Sequence, residues 1–278
     1  MSMFRKVAII GVGLIGGSIG LAIKKKKLAK TIAGVSRHKE SLSAAKKKGA
    51  IDSGSCSLDI IKGADLVILA TPVNTIIELA PKIACLVSKD CLVTDVGSTK
   101  EEVNKRLSGI FPNYLGSHPL AGSEKRGVAN ARADLFRGSL CILTPLQNTN
   151  RRGIEKIKLL WRSFGARVIL LSPVEHDKIL SFVSHLAHIA AFSLIAAVPG
   201  EYFKFASSGL KDTTRIAASE SELWADIFLS NRRNILEAMN LLEGDLSRIR
   251  EAIAKKDKRG LAAILQHAAK KRKALANL

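Results

Sequence analysis

From Lys6 to Leu171, short runs of apolar and β-branched residues alternate with longer stretches whose apolar positions recur every three or four residues. That alternation predicts βαβ units and a parallel sheet. Strands are expected at Lys6 to Ile10, Thr31 to Val35, Leu66 to Ala70, Leu92 to Asp95, Tyr114 to Ser117, Leu140 to Thr144 and Arg167 to Leu171. Each is short and apolar on both faces, as a strand covered by helices on both sides must be. Several end in turn-forming or small polar residues: Thr71-Pro72, Gly97-Ser98, His118-Pro119 and Thr144-Pro145. Open parallel sheets bind ligands beyond the carboxyl ends of their strands, so chemistry is expected at those endings.

After Ser172-Pro173 the strand signal stops, and the remainder reads as helices punctuated at Pro199-Gly200 and Gly244. Two domains are therefore expected, a dinucleotide-binding sheet domain over 1–172 and a helical domain over 173–278. Within the second, Ile179 to Gly200 carries no Asp, Glu, Lys or Arg and is long enough to span a bilayer, which takes ~20 residues. Ser181, Ser184, His185 and His188 nevertheless fall in one stripe of a helix advancing about 100° per residue. A lipid-facing helix has no use for that stripe, so the segment is expected to be buried in protein on most sides with its polar face toward a cavity.

A composition of 47% hydrophobic and 24% charged residues excludes disorder over most of the chain. The 44 basic and 24 acidic residues leave a formal charge of +20, which attracts anions at long range. Its runs, Lys24 to Lys27, Lys46 to Lys48 and Lys270 to Lys273, fall on helical stretches and read as solvated faces rather than a nucleic-acid footprint. An aromatic content of 5% supplies few stacking platforms for single strands. Cys56, Cys85, Cys91 and Cys141 form no CxxC pair and sit in apparent core, as in a protein of the reducing cytoplasm. Glycines interrupt the apolar start, so no secretion signal is expected.

The sharpest local pattern is Gly11-Val12-Gly13-Leu14-Ile15-Gly16, directly after a strand and before a helix. Gly11 permits the tight turn, Gly13 lets backbone approach a pyrophosphate, and Gly16 brings helix close to strand. The anion then rests on the helix N-terminus. Leu14, Ile15, Thr71 and Pro72 complete the expected cofactor residues. At the end of the second strand stand Ser36, Arg37 and His38, with no carboxylate before Glu40. Ser36 donates to a ribose 2′-phosphate and Arg37 pairs with it, which favours NADP over NAD.

Ser98 and His118 both follow strand ends, where a histidine takes the proton of a hydroxyl as hydride leaves. A third cluster comprises Glu175-His176-Asp177, then Ser184, His185 and His188, then Lys211 and Arg215. Lys211 and Arg215, at i and i+4, present two cations suited to a carboxylate. No metal is expected, because no carboxylate or thiolate stands at ligand spacing beside His185 and His188.

GVGLIGGS, DVGSTK, GSHPLAGSE, EHDKILSFVSHLAH and SGLKDTTRIAASESELWADI occur in the order seen in prephenate and arogenate dehydrogenases, and the chain resembles that family from Lys6 to about Phe228. The resemblance implies a Rossmann-like domain followed by an all-α dimerisation domain, and oxidative decarboxylation of prephenate to 4-hydroxyphenylpyruvate, or of arogenate to tyrosine, in tyrosine biosynthesis. It makes His118 the catalytic histidine, with Ser98 orienting it and the cofactor. Arg215 would bind a substrate carboxylate with Lys211 in support, Ser123 and Glu124 would line the pocket entrance, and Ser184, His185 and His188 would form the polar helix face. A Ser-Arg ending at Ser36 resembles the NADP-using members, and His188 leans toward prephenate. A homodimer through the helical domain would account for the apolar Ile179 to Gly200. Two rivals stand beside this reading. One is a hydroxy acid dehydrogenase or imine reductase of the same architecture relying on Lys211. The other is a dinucleotide-sensing or nucleic-acid-binding protein supported by charge alone.

Overall fold

The computed structural model describes residues 2–122 and 127–276. Eight strands make one sheet: β1 (Phe4–Ile10), β2 (Ala29–Val35), β3 (Ser53–Ser55), β4 (Leu66–Leu69), β5 (Leu92–Asp95), β6 (Tyr114–Pro119), β7 (Leu140–Thr144) and β8 (Arg167–Leu170). Their spatial order is β3-β2-β1-β4-β5-β6-β7-β8. Alternation along the central strands explains why they are apolar throughout. Val7 and Ile9 of β1, with Leu66 and Ile68 of β4, join Ile19 and Ile23 of α1 (Leu14–Lys25) on one face. Ala8, Ile10, Val67 and Leu69 join Ile76, Ala80 and Ile83 of α3 (Val73–Ala84) on the other. Each fully buried aliphatic side chain stabilises the fold by roughly 1.5–3 kcal/mol. The chain leaves β1 toward β2 and β3, then returns to β4 on the opposite side, so a crevice opens between the carboxyl ends of β1 and β4.

Two expectations about the sheet are corrected. β7 runs antiparallel to β6, pairing Gly116 with Thr144 and Pro119 with Cys141. A parallel return needs a crossover of a dozen or more residues, usually a helix; the described residues between β6 and β7 hold only the short 3-10 turn Val128–Asn130. Thr144-Pro145 therefore lies at the edge opposite the crevice, away from the other strand endings. The edge strand β8 is also mostly exposed rather than covered on both faces. Parallel β3, a polar Ser-Gly-Ser paired with β2, gave no apolar signal.

No strand follows Leu170 among the described residues. The chain forms two compact units, 1–231 and 232–278. Besides the sheet, the first contains α2 (Lys39–Lys47), α4 (Glu101–Ser108), α5 (Arg151–Ser163), α6 (Pro173–Leu180), α7 (Leu186–Ala196), α8 (Ser208–Thr214) and α9 (Ser221–Ser230). Here α6 packs on α4 and β7, and α9 on α3. The second is a helical hairpin, α10 (Arg232–Ala254) and α11 (Lys258–Leu275), whose turn is capped by the Asp257 side chain accepting from Gly260 N.

Pro173–Ala196 is apolar and long enough to cross a membrane by length and composition. It is not one regular helix, since a π-helical turn over Ser181–His185 joins α6 to α7. Nor is it buried on most sides within the chain: Val183 is 67% exposed, and Ile179 and Leu194 are exposed with it. The lysine runs are solvent-facing as expected, Lys24 partly buried beside exposed Lys25, Lys26 and Lys27. Cys91 and Cys141 are core residues, whereas Cys56 and Cys85 are exposed.

Candidate active site

β1 is followed directly by Gly11, whose φ is +95°. A Cβ on Gly11 would stand 2.4 Å from the Ala70 carbonyl oxygen at the end of β4, and one on Gly16 would stand 1.9 Å from the Gly11 carbonyl. Gly13 differs, because a Cβ there would meet nothing within 4 Å. Its surroundings are open, and no side chain caps the N-terminus of α1 that it begins. The first-turn N–H groups are thus left for an anion. Beside them, Thr71 Oγ1 is the one buried side-chain polar atom without a hydrogen-bond partner among the described residues. An open cradle of unpaired donors with an orphaned hydroxyl at its rim fits a dinucleotide pyrophosphate. Gly13, Leu14, Ile15, Thr71 and Pro72 all line one cleft of about 820 Å³. At the end of β2, Arg37 is exposed and the Ser36 hydroxyl accepts from His38 N at 3.2 Å.

Ser98 and His118 line the same cleft. The loop bearing Ser98 is held from beneath by Asp95, which is fully buried. Asp95 pairs with Lys100 Nζ and accepts from Gly97 N at 2.8 Å and from the Tyr114 hydroxyl at 2.6 Å. Burial and the Asp95 charge push the Tyr114 hydroxyl well above its ordinary range, so it stays a donor. Among the described residues Ser98 makes no hydrogen bond to His118. The ring partner of His118 is His176, with Nδ1 and Nε2 2.8 Å apart. His176 Nδ1 lies 2.7 Å from Asp177 Oδ1. Burial, then His176, Lys100 and His185, hold His118 well below the usual 6.5, so it is neutral at neutral pH.

The π-helical turn aims the polar stripe inward, and Ser184, His185 and His188 line the cleft with Arg215. Asn231 Nδ2 donates to the Asp177 carbonyl at 2.7 Å and reaches His185 Nδ1 at 3.2 Å. His188 stacks on Trp224, centroids 3.5 Å apart and planes at 22°. Lys211 does not line this cleft. It lies on α8, which gives way at Arg215 to a 3-10 turn, so the expected two-cation helix face does not form. Ser123 and Glu124 lie outside the described residues. Sequence reading gave no role to Trp224, His176, Asp177 or the Asp95–Lys100 pair; the pairing of Asp95 with a lysine five residues on was the available signal for the last.

These histidines carry a stability consequence. His118, His176, His185 and His188 all titrate below 6.5 when folded, burial being the first cause in each, and His185 falls to about 4. The unfolded chain therefore binds protons below pH 6.5 that the folded chain refuses. Stability is full above pH 6.5 and falls as pH drops toward 4, by about 1 kcal/mol at pH 5.5 for His185 alone. Thermal melts between pH 7 and 5 are expected to show a falling Tm, with a shallower slope in His185→Asn; a flat profile would contradict the burial of these rings.

Residues 19–170 match the family model of the prephenate dehydrogenase nucleotide-binding domain, and residues 172–267 match that of the prephenate dehydrogenase dimerization domain. The chain belongs to the prephenate dehydrogenase family. Prephenate dehydrogenase of Bacillus subtilis is 37% identical over 92% of this chain and 72% of its own length. Cyclohexadienyl dehydrogenase of Zymomonas mobilis is 35% identical over 92% of this chain and 91% of its own. Among solved structures, prephenate dehydrogenase from A. aeolicus, in complex with hydroxyphenyl propionate and NAD+, superposes with a TM-score of 0.92 at 35% identity, covering 98% of each chain. Membership of the prephenate dehydrogenase family accounts for the order of the five motifs and for a glycine loop, a strand-end histidine and a helical polar face meeting in one cleft.

Proposed function

We propose that this protein oxidises and decarboxylates prephenate, using a nicotinamide dinucleotide as hydride acceptor. The observation that carries the reading is the convergence of the open helix N-terminus at Gly13, the neutral imidazole of His118 and the guanidinium of Arg215 on one cleft. His118 takes the proton of the ring hydroxyl as the carbinol hydride departs. The electron pair of the bond to the ring carboxylate then enters the ring, carbon dioxide leaves, and the proton returns to what is now a phenol. Aromatisation drives the loss. Ser98 orients the reacting groups, Arg215 holds a substrate carboxylate, and Ser184, His185 and His188 form the polar wall. The lysine-based rival loses support, because Lys211 stands outside the cleft. On this reading 1–172 binds the dinucleotide, 173–278 completes the site and pairs two copies into a homodimer, and the enzyme works in the cytoplasm. The relatives named for prephenate support that substrate over arogenate.

For the cofactor, Ser36 and Arg37 with no acidic residue between them and Glu40 favour NADP, while the NAD+ of the A. aeolicus relative favours NAD. Reduced-cofactor absorbance with prephenate or arogenate against NAD or NADP tests both questions. If NADP is used, Arg37→Ala raises its KM about tenfold, the worth of one exposed charge-assisted hydrogen bond, and leaves that for NAD unchanged. Silence in all four mixtures with dinucleotide binding intact would defeat the assignment.

A further inference from the structure

His118, which lines the cleft, is the last member of a buried chain running through His176 to Asp177. Asp177, 1% exposed, lies on α6 against the N-terminus of α4. Its carboxyl group accepts from two backbone donors, Lys100 N at 2.7 Å and Glu101 N at 2.9 Å, and lies 2.7 Å from His176 Nδ1. A carboxylate is acceptor-only, so the imidazole must donate to it and His176 carries its hydrogen on Nδ1. A neutral imidazole protonated at Nδ1 has a bare Nε2. That Nε2 faces His118 Nδ1 at 2.8 Å, so it accepts from it. His118 consequently bears its hydrogen on Nδ1, and its Nε2 keeps the lone pair. His176 is itself fully buried, and burial keeps it neutral.

We infer that Asp177 and His176 are positioning residues that fix the tautomer of His118, so that a lone pair rather than an N–H meets the substrate hydroxyl. The inference rests on the reading of His118 as the base. A free histidine side chain prefers the opposite form, with hydrogen on Nε2, which would present a donor to a hydroxyl that must give up its proton. The relay corrects that preference from two side chains away and holds the ring plane as well. Neither residue touches the cleft-lining surface.

Nitrogen-15 NMR of the histidines in the intact enzyme at pH 7.5 reads the tautomers without substrate. Both His118 and His176 are expected with a pyrrole-type Nδ1 and a pyridine-type Nε2; hydrogen on the Nε2 of either overturns the inference. His176→Leu removes the acceptor, and His118 is expected to shift toward the Nε2–H form with kcat down about a hundredfold, within the range of general-base catalysis, and KM nearly unchanged. His176→Gln offers an amide oxygen to His118 Nδ1 and is expected to restore the tautomer and most of kcat. Wild-type tautomer and turnover in His176→Leu would overturn the proposal. The wild-type spectrum decides even if that variant does not fold. Should the tautomers be as stated while wild-type enzyme is inert toward prephenate, the positioning stands and the reading of the substrate fails.

Discussion

Replacing His118 with asparagine is expected to lower turnover about 10³-fold, the middle of the range for a lost general base, with dinucleotide affinity within about twofold of wild type. Asparagine can still donate to His176 Nε2 from its amide, so the buried chain behind it keeps its partner. What disappears is the basic nitrogen that His118 turns to the cleft. On the proposed reading the dinucleotide is held elsewhere, at the Gly11 to Gly16 loop and Thr71, where Gly11 and Gly16 are sterically required and Thr71 Oγ1 lacks a partner among the described residues. Steady-state kinetics with a fluorescence titration of reduced cofactor separates the two quantities. Turnover close to wild type would remove His118 from the reaction. In the unaltered enzyme, burial and the neighbouring His176, Lys100 and His185 hold His118 well below 6.5. Protonation silences the base only beneath that depressed value, so the acid limb of kcat/KM falls below pH 6.5.

The parts legible in the sequence are those with local causes. Apolar residues at successive positions of β1 and β4 announce strands covered on both faces, and Gly11 and Gly16 each answer a steric demand that spacing alone displays. Strand direction has no such signature. β7 alternates no differently for being antiparallel, and only the lack of a crossover helix before it decides. Polar β3 exists because β2 offers it an edge. The apolar Ile179 to Gly200 stretch told of a hidden face without telling what hides it, and the π-helical turn at Ser181–His185 followed no sequence cue. His176 and Asp177 were visible as neighbours in Glu-His-Asp. Their work depends on α6 lying against the first turn of α4, 76 residues away for the Asp177 bond to Glu101, and such placement is tertiary.

Removing the charge of Lys100 is expected to cost most in stability. The residue stands in Gly-Ser-Thr-Lys before two glutamates, and its side chain is 0% exposed and pairs with an equally buried Asp95. Lys100→Met keeps the aliphatic volume and strands the carboxylate with Gly97 N and the Tyr114 hydroxyl as its remaining donors among the described residues. An uncompensated buried charge costs about 3–5 kcal/mol, a large share of the ~5–15 kcal/mol that holds a typical domain together. Urea denaturation is expected to show that loss as a lower midpoint. Adding Asp95→Asn in the same chain removes the charge that was stranded and should recover more than half of it, a coupling between neighbours that additive losses cannot produce. Equal loss in the double variant would mean that Lys100 acts through its packing alone. Activity should follow the same order, because the pair underlies the loop that carries Ser98, and the backbone of Lys100 itself donates to Asp177.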